Sequence, residues 1–256
     1  MKRIVLLIGL LIGIVPALRA EGTSAEAMWE RANTLYINGD YAGAAEAYEA
    51  VAAEGYVSGK LFYNLGNAYF KADELGRAIL NYNKALKLIP YDGDVAYNLA
   101  VANGYVKDKI ETVPEFFVSR WVKASRASLD SNTWALLSLV LLVAALAGVL
   151  VFLLAERRGW RKAGFFWGIV CFLLTVCTAV FAAVEKRELL DASRAVVLVQ
   201  AVAVKNAPEK GGSDLFILHE GTQAEVLSSY GEWREVMIAD GNKGWVPADA
   251  VALITY

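Results

Sequence analysis

The chain has 256 residues, 57% of them hydrophobic, with 25 Lys and Arg against 27 Asp and Glu. A mean hydropathy of +0.39 is high for a soluble protein and predicts that part of the chain sits in lipid. A net charge of −2 and an isoelectric point near 5.6 supply no basic field, so nucleic-acid binding is excluded as a function class.

The N-terminus reads Met1, Lys2, Arg3, an apolar run from Ile4 to Val15, then Pro16 and "ALRA" before Glu21. Two positive charges, a short apolar run and a closing small residue form a secretory leader. The run is shorter than the roughly 20 residues a membrane span needs. Residues 1–20 are therefore read as a signal peptide cleaved after Ala20, with an uncleaved anchor as the alternative. No cysteine follows the apolar run, which excludes a lipoprotein.

From residue 21 to 108 the chain repeats itself. Laying 25–58 over 59–92, a period of 34, aligns Ala32 with Gly66, Gly39 with Asp73, Tyr41 with Leu75, Ala44 with Ala78 and Tyr48 with Tyr82. The second copy carries Leu65, Gly66, Tyr69, Ala78, Tyr82, Ala85 and Pro90 at tetratricopeptide-repeat offsets. Gly66, Ala78 and Ala85 let two antiparallel helices approach, Phe62, Tyr69 and Tyr82 fill the space between them, and Pro90 stops the second helix. A further helix over 94–105 continues the register with Leu99 and Ala100, and this helix, or a partner, is expected to close the face that two repeats leave open. Repeats of this kind present a groove to partner segments, and Asn64, Asn67, Tyr97 and Asn98 are its candidate binding residues, the alternative being plain solvation.

Residues 109–133 contain Phe116, Phe117, Trp121 and Val122 interleaved with Arg120, Lys123 and Arg126, the pattern of a helix on lipid headgroups or of a linker helix. Two uncharged runs follow, Trp134–Ala155 and Ala163–Val184, each 22 residues long. Each makes about 33 Å of helix against a hydrocarbon core of about 30 Å, so both are expected to span as a hairpin. The loop at 156–162 holds Arg157, Arg158, Arg161 and Lys162 against Glu156 and reads as cytoplasmic. With the leader exporting the N-terminal half and two spans returning the chain, both flanking regions face the periplasm. Neither span contains Asp, Glu, Lys, Arg or His, which argues against a transport path. Gly164 and Gly168 form a GxxxG that would admit another helix, unless the spacing is chance. Cys171 and Cys177 fall inside the second run and are read as packing or lipid-facing residues, not as a redox or zinc site.

After a linker at 185–194, residues 195–256 turn to β-branched runs separated by Glu220-Gly221, Tyr230-Gly231, Asp240-Gly241 and Lys243-Gly244. Short strands with glycine turns over this length read as a small barrel. The order Pro208, Gly221, Val226, Trp233, Val236, Asp240-Gly241 and Gly244-Trp245-Val246 resembles the bacterial SH3-like (SH3b) domain. Trp245 is expected to cap the barrel. Trp233 and Trp245 are read either as packing or as a grip on a peptide or glycan strand. His219, the only histidine, is read as a surface turn residue. No GxSxG, HExxH or phosphate-binding glycine loop occurs, so a non-enzymatic binder without cofactor or metal is expected.

The expected fold is multidomain: all-α tetratricopeptide helical hairpins, a two-helix transmembrane hairpin and a C-terminal all-β SH3-like barrel. These modules in this order, with "DVAYNLAVANGYVKDKIE" after the repeats, resemble the BatE family of the bacterial aerotolerance (Bat) operon over the whole chain. The resemblance implies an inner-membrane scaffold linked to oxidative or envelope stress. It also implies partners: von Willebrand factor A domain membrane proteins and, indirectly, a MoxR-type AAA ATPase, which could reach this topology only at residues 156–162. A second hypothesis is a peptidoglycan-binding or wall-sensing anchor that uses the SH3-like domain.

Overall fold

The computed structural model describes residues 17–110 and 116–255. The expected signal peptide lies outside the described residues except for its last four, which open the first helix. The chain divides into two compact units, one built from residues before Val113 together with those from Ala192 onward, the other from Val113–Asp191.

Among the described residues the first unit begins with five helices: α1 (Ala17–Ile37), α2 (Tyr41–Ala53), α3 (Gly59–Lys71), α4 (Leu75–Leu88) and α5 (Gly93–Tyr105). Their starts are written in the sequence. Asp40 accepts from the Gly43 N–H at 3.0 Å, Ser58 from Leu61 at 3.1 Å, and Asp92 from Asp94 and Val95, so each carries donors that a helix end leaves unpaired. The turns between paired helices share one conformation, left-handed at Gly39 (φ 81°) and again 34 residues later at Asp73 (φ 64°), a short polar residue that tolerates this region better than most. Leu61, Phe62, Leu65, Tyr69, Ala78, Ile79, Tyr82 and Ala85 are buried in the helical core with Tyr48. A Cβ on Gly66 would stand 2.7 Å from the Tyr82 ring, so the missing side chain is what lets that ring seat.

The C-terminal part of this unit is a seven-stranded antiparallel sheet: β1 (Arg194–Val197), β2 (Ala201–Lys205), β3 (Asp214–His219), β4 (Gln223–Tyr230), β5 (Trp233–Met237), β6 (Lys243–Pro247) and β7 (Val251–Leu253), in the order β3-β2-β6-β5-β4-β1-β7. The pairing of strands leaves β3 and β7 at its two ends. Gly221, Gly231 and Gly241 hold positive φ in turns. Lys243-Gly244 is not a turn as expected. It lies within β6, where a Cβ on Gly244 would stand 2.6 Å from Val204 and 2.7 Å from the Lys205 carbonyl, so glycine there serves a close strand approach.

The sheet is not a separate body from the repeats. Along β1 the side chains alternate: Ala195 and Val197 belong to the core of the sheet, while Val196, between them, is buried in the helical core together with Ile254. Polar contacts follow the same seam. Asp108, just beyond α5, accepts from the His219 N–H at 2.7 Å, pairs with His219 Nδ1 at 2.6 Å and accepts from Thr222 Oγ1 at 2.7 Å. Lys107 Nζ lies 2.9 Å from His219 Nε2. The N-cap residue of α4, Glu74, makes no side-chain capping bond, and Glu220 from the sheet accepts from the Gly76 N–H at 2.7 Å instead. His219 is thus a junction residue and not the surface turn residue expected. The face that α5 or a partner was expected to close is covered by α5 and β1 together.

The second unit holds α6 (Phe117–Arg126), α7 (Ser131–Leu154) and α8 (Arg158–Leu190). With mean hydropathies of 3.0 and 2.3 over their most apolar windows, α7 and α8 are long and apolar enough to cross a membrane. They pack on each other through Gly148, Gly164 and Gly168, where a Cβ on Gly148 would stand 2.8 Å from the Gly168 nitrogen and 2.9 Å from the Gly164 carbonyl. The GxxxG therefore serves the contact between this chain's own two helices. Cys171 is buried and Cys177 exposed, as their spacing on a helix predicts. The α8 helix begins inside the predicted loop and continues past the apolar run to Leu190.

Burial pushes the Asp108 carboxyl up, but the donors from Thr222 and His219 outweigh it and hold it below its ordinary value near 3.8. Its contribution to stability is therefore complete above pH 4 or so and is lost as pH falls through the lowered value. Asp108→Asn should cost about 2–4 kcal/mol at neutral pH. Denaturant melts across pH 3–7 should show the difference between parent and variant shrinking at the acid end. A difference independent of pH would show that the carboxylate charge does not hold the junction.

Candidate functional site

The helical core is held by tyrosines whose rings are buried and whose hydroxyls must find partners. Tyr48 on α2 packs edge-on against Trp29 on α1, 5.4 Å between ring centres, and donates its hydroxyl to Asn33 Oδ1 at 2.6 Å. Asn64 on α3 donates to the same hydroxyl at 3.4 Å. One period later Tyr82 on α4 donates to Asn67 Oδ1 on α3 at 2.8 Å, and Asn98 on α5 donates to that oxygen at 2.8 Å and to the Tyr63 hydroxyl at 3.1 Å. Asn33, Tyr48 and Asn64 are thus repeated by Asn67, Tyr82 and Asn98, each pair 34 residues apart. Burial raises the phenol pKa of both Tyr48 and Tyr82, so each hydroxyl stays a neutral donor.

The two runs connect α1, α3 and α5 into a face of side-chain amides edged by tyrosine. At its α1–α3 end lies a cleft of about 260 Å³ lined by Glu30, Asn33, Tyr36, Ile37, Tyr48, Asn64 and Asn67. Glu30 is the sole ionisable carboxylate in that lining, so the cleft is suited to groups that donate and accept hydrogen bonds, such as peptide amides. Of the four candidate residues, Asn64, Asn67 and Asn98 sit together in these runs. Tyr97 is set apart, 69% exposed. Asn67 Oδ1 already takes two hydrogen bonds, which ties this residue to helix packing as much as to any ligand.

A second cleft, of about 590 Å³ and with Glu49, Phe62, Tyr69, Arg77, Asn81 and Lys84 in its lining, lies between α2 and α4. Its charges answer one another: Tyr69 donates to Glu49 and accepts from Arg77, Arg77 pairs with Glu74 at 3.2 Å, and the Lys84 ammonium stands 5.4 Å over the Phe62 ring. Burial holds Lys84 below the usual lysine range, with Glu49 opposing the shift.

On the sheet, Val236 and Val246 point into the core while Trp233, Glu235 and Trp245 occupy the alternate positions. Trp245 is opposite Glu235, Trp233 is opposite Pro247 on one side and Tyr230 on the other, and both tryptophans are half-buried. Tyr230 is 68% exposed. Trp245 therefore lies on the outer face of β6 and does not cap the interior of the sheet. The outer face of β4, β5 and β6 carries Tyr230, Trp233 and Trp245, and the Glu235 carboxylate on the same face accepts from Ser228 Oγ at 2.9 Å and pairs with Lys243 Nζ at 3.7 Å. Sequence reasoning missed Tyr230, whose turn position hid its alternation with Trp233. Among the described residues no group of three His, Cys, Asp or Glu side chains could hold a metal ion.

The two kinds of residue on the amide face separate by stability. Asn67→Ala strands the buried Tyr82 hydroxyl and should cost about 1–3 kcal/mol in a denaturant melt, whereas Tyr97→Ala should stay within about 0.5 kcal/mol of the parent. Equal melts for the two variants would remove Asn67 from the packing.

No curated protein matches the chain. The Tetratricopeptide repeat family matches residues 16–56 and 29–93, and the helical repeat region is accordingly a tetratricopeptide array, a protein-interaction repeat.

Proposed function

We propose that this chain is a non-enzymatic, membrane-held scaffold that binds partner proteins through the amide face of its tetratricopeptide array and through its C-terminal sheet, read as an SH3-like domain. The observation that carries this reading is the repeated asparagine–tyrosine face within a repeat of known interacting type. An extended partner segment can pair its peptide groups with such amides while tyrosine edges cover its side chains.

The finer reading places the protein in the bacterial inner membrane as a component of a Bat/MoxR-type system linked to aerotolerance or envelope stress. Its partners there are von Willebrand factor A domain membrane proteins and, through them, a MoxR-type AAA ATPase. The order of modules supports it, as does the topology. Residues on either side of the helical hairpin share one core, so they lie on one side of any membrane that α7 and α8 cross, as an even number of spans requires. The basic turn at 156–162 supports reading that side as the periplasm.

A specific observation favours a second reading, the wall anchor: Tyr230, Trp233 and Trp245 share one face of the sheet, an aromatic surface of the kind that stacks on sugar rings or peptide stems. Residues 195–256 are a poor probe in isolation, because β1 buries Val196 against the repeats.

The test uses the full chain, purified in mild detergent after brief crosslinking. Recovery of von Willebrand factor A membrane proteins and their ATPase, reduced by Tyr97→Ala and Asn64→Ala and, to a smaller extent, by Trp245→Ala, is the expected result. Co-sedimentation with insoluble murein, lost on Trp245→Ala with the fold intact, would replace the scaffold with the wall anchor. Topology is read separately, with Cys171 and Cys177 changed to alanine. In intact spheroplasts an impermeant thiol reagent should label Ser213→Cys and reach Gly159→Cys only after lysis; the reverse pattern would invert the scheme.

A further inference from the structure

The α6 helix carries a feature that neither binding face uses. Phe117, Val118, Trp121 and Val122 recur at i, i+1, i+4 and i+5, one stripe of a helix, and continue the exposed Phe116. Phe116, Phe117 and Trp121 are 69%, 66% and 70% exposed, so nothing among the described residues covers them. Arg126, nine residues beyond Phe117, falls about 180° round the helix from it. It is the one buried residue of α6, with 7% exposure.

Arg126 is buried because α8 receives it. Its guanidinium lies 2.7 Å from Glu188 Oε1 and 3.4 Å from Glu185 Oε1, two carboxylates one turn apart. Its carbonyl accepts from Trp134 Nε1 of α7 at 2.8 Å, and Trp134 packs edge-on against Phe181 of α8. Ser131, the first residue of α7, donates to the Ala182 carbonyl at 3.0 Å. A buried arginine is tolerated only with such partners, and here they fix the polar side of α6 against α8 and leave its apolar side turned away from the bundle.

We infer that α6 is an interfacial arm: it lies along the headgroup boundary of an anionic bilayer with Phe117, Val118, Trp121 and Val122 in the acyl boundary, held there by the Arg126–Glu185–Glu188 clamp. The inference rests on the reading of α7 and α8 as spans. What covers the stripe follows from continuity. The α6 helix ends five residues before α7 begins, and α7 itself exposes Leu136 and Leu139 at 63% and 57%, so the unpartnered stripe adjoins the surface that lipid would cover. Arg120 and Lys123 stand on the flank between the stripe and the clamp, where they meet headgroup phosphates.

The test is nitroxide accessibility in the full chain with Cys171→Ala and Cys177→Ala, reconstituted in phosphatidylglycerol discs. Labels go singly at Val118→Cys, Ser119→Cys and, as a reference on α7, Leu146→Cys. The ratio of oxygen to nickel-chelate accessibility should be high at 118 and at 146 and several-fold lower at 119. If 146 reports lipid while 118 reports water, or is shielded from both reagents as a protein contact would be, the arm is refuted and the spans stand. If 146 itself reports water, the spans and the arm fall together. Adding Arg126→Gln should flatten the contrast between 118 and 119, and an unchanged contrast would refute the clamp. Replacing the discs by phosphatidylcholine should shrink the contrast, and equal values in both lipids would refute the role of headgroup charge.

Discussion

The fold of the first unit depends on β1, a strand buried on both faces. A sheet strand with one wet face alternates apolar and polar residues, but "RAVV" has no polar position after Arg194, because Ala195 and Val197 close the sheet while Val196 fills the helical core. Two helix pairs and a single further helix are a short tetratricopeptide array with an open end. The sheet supplies what another repeat would: Val196 and Ile254 as buried surface, Glu220 as the helix cap that Glu74 does not make, and Gly221 at a turn where a side chain would collide with Ile79 and Val106. Neither part is therefore read as stable by itself.

Much of this was legible in the sequence where the signal was local or periodic. The 34-residue spacing of Tyr48 and Tyr82 and the left-handed turns at Gly39 and Asp73 follow from repeats that solve the same packing problem twice. Two uncharged runs announce two long apolar helices, and positive-φ glycines announce three of the sheet's turns. Gly244 was misread because glycine serves turns and close strand approaches alike, and only the neighbouring Val204 decides between them. The junction was not legible, since Asp108 and His219 are 111 residues apart and no period connects them. The amide runs were half legible. Asn64, Asn67 and Asn98 stand out as polar residues on amphipathic helices, but the tyrosines that orient them read as core alone.

That double role bears on how the face can recognise a partner. An asparagine held by a buried phenol is preorganised, so less side-chain freedom is lost when a ligand arrives. The same bond commits part of the amide's capacity to the protein. Asn67 Oδ1 is shared between Tyr82 and Asn98, while Tyr97, 69% exposed and set apart from these bonds, would add only aromatic area. Under the proposed reading, binding strength on such a face would come from aromatic area at its edges and register from the amides within it.

A shared core also changes how two binding faces on one chain would act. Modules on a flexible tether raise each other's effective concentration over a range of separations set by the tether. The repeats and the sheet have no such tether between them, because β1 and the Asp108 junction join them directly. The separation between the amide face and the Tyr230–Trp233–Trp245 face is then a fixed property of the fold. A partner gains from both faces only if its own two contacts match that spacing, and a mismatched partner gains nothing from the second. Under the proposed scaffold reading, selectivity would come from the rigidity of the junction as well as from the chemistry of either surface, and the Asp108 carboxylate that holds the junction would bear on recognition at each.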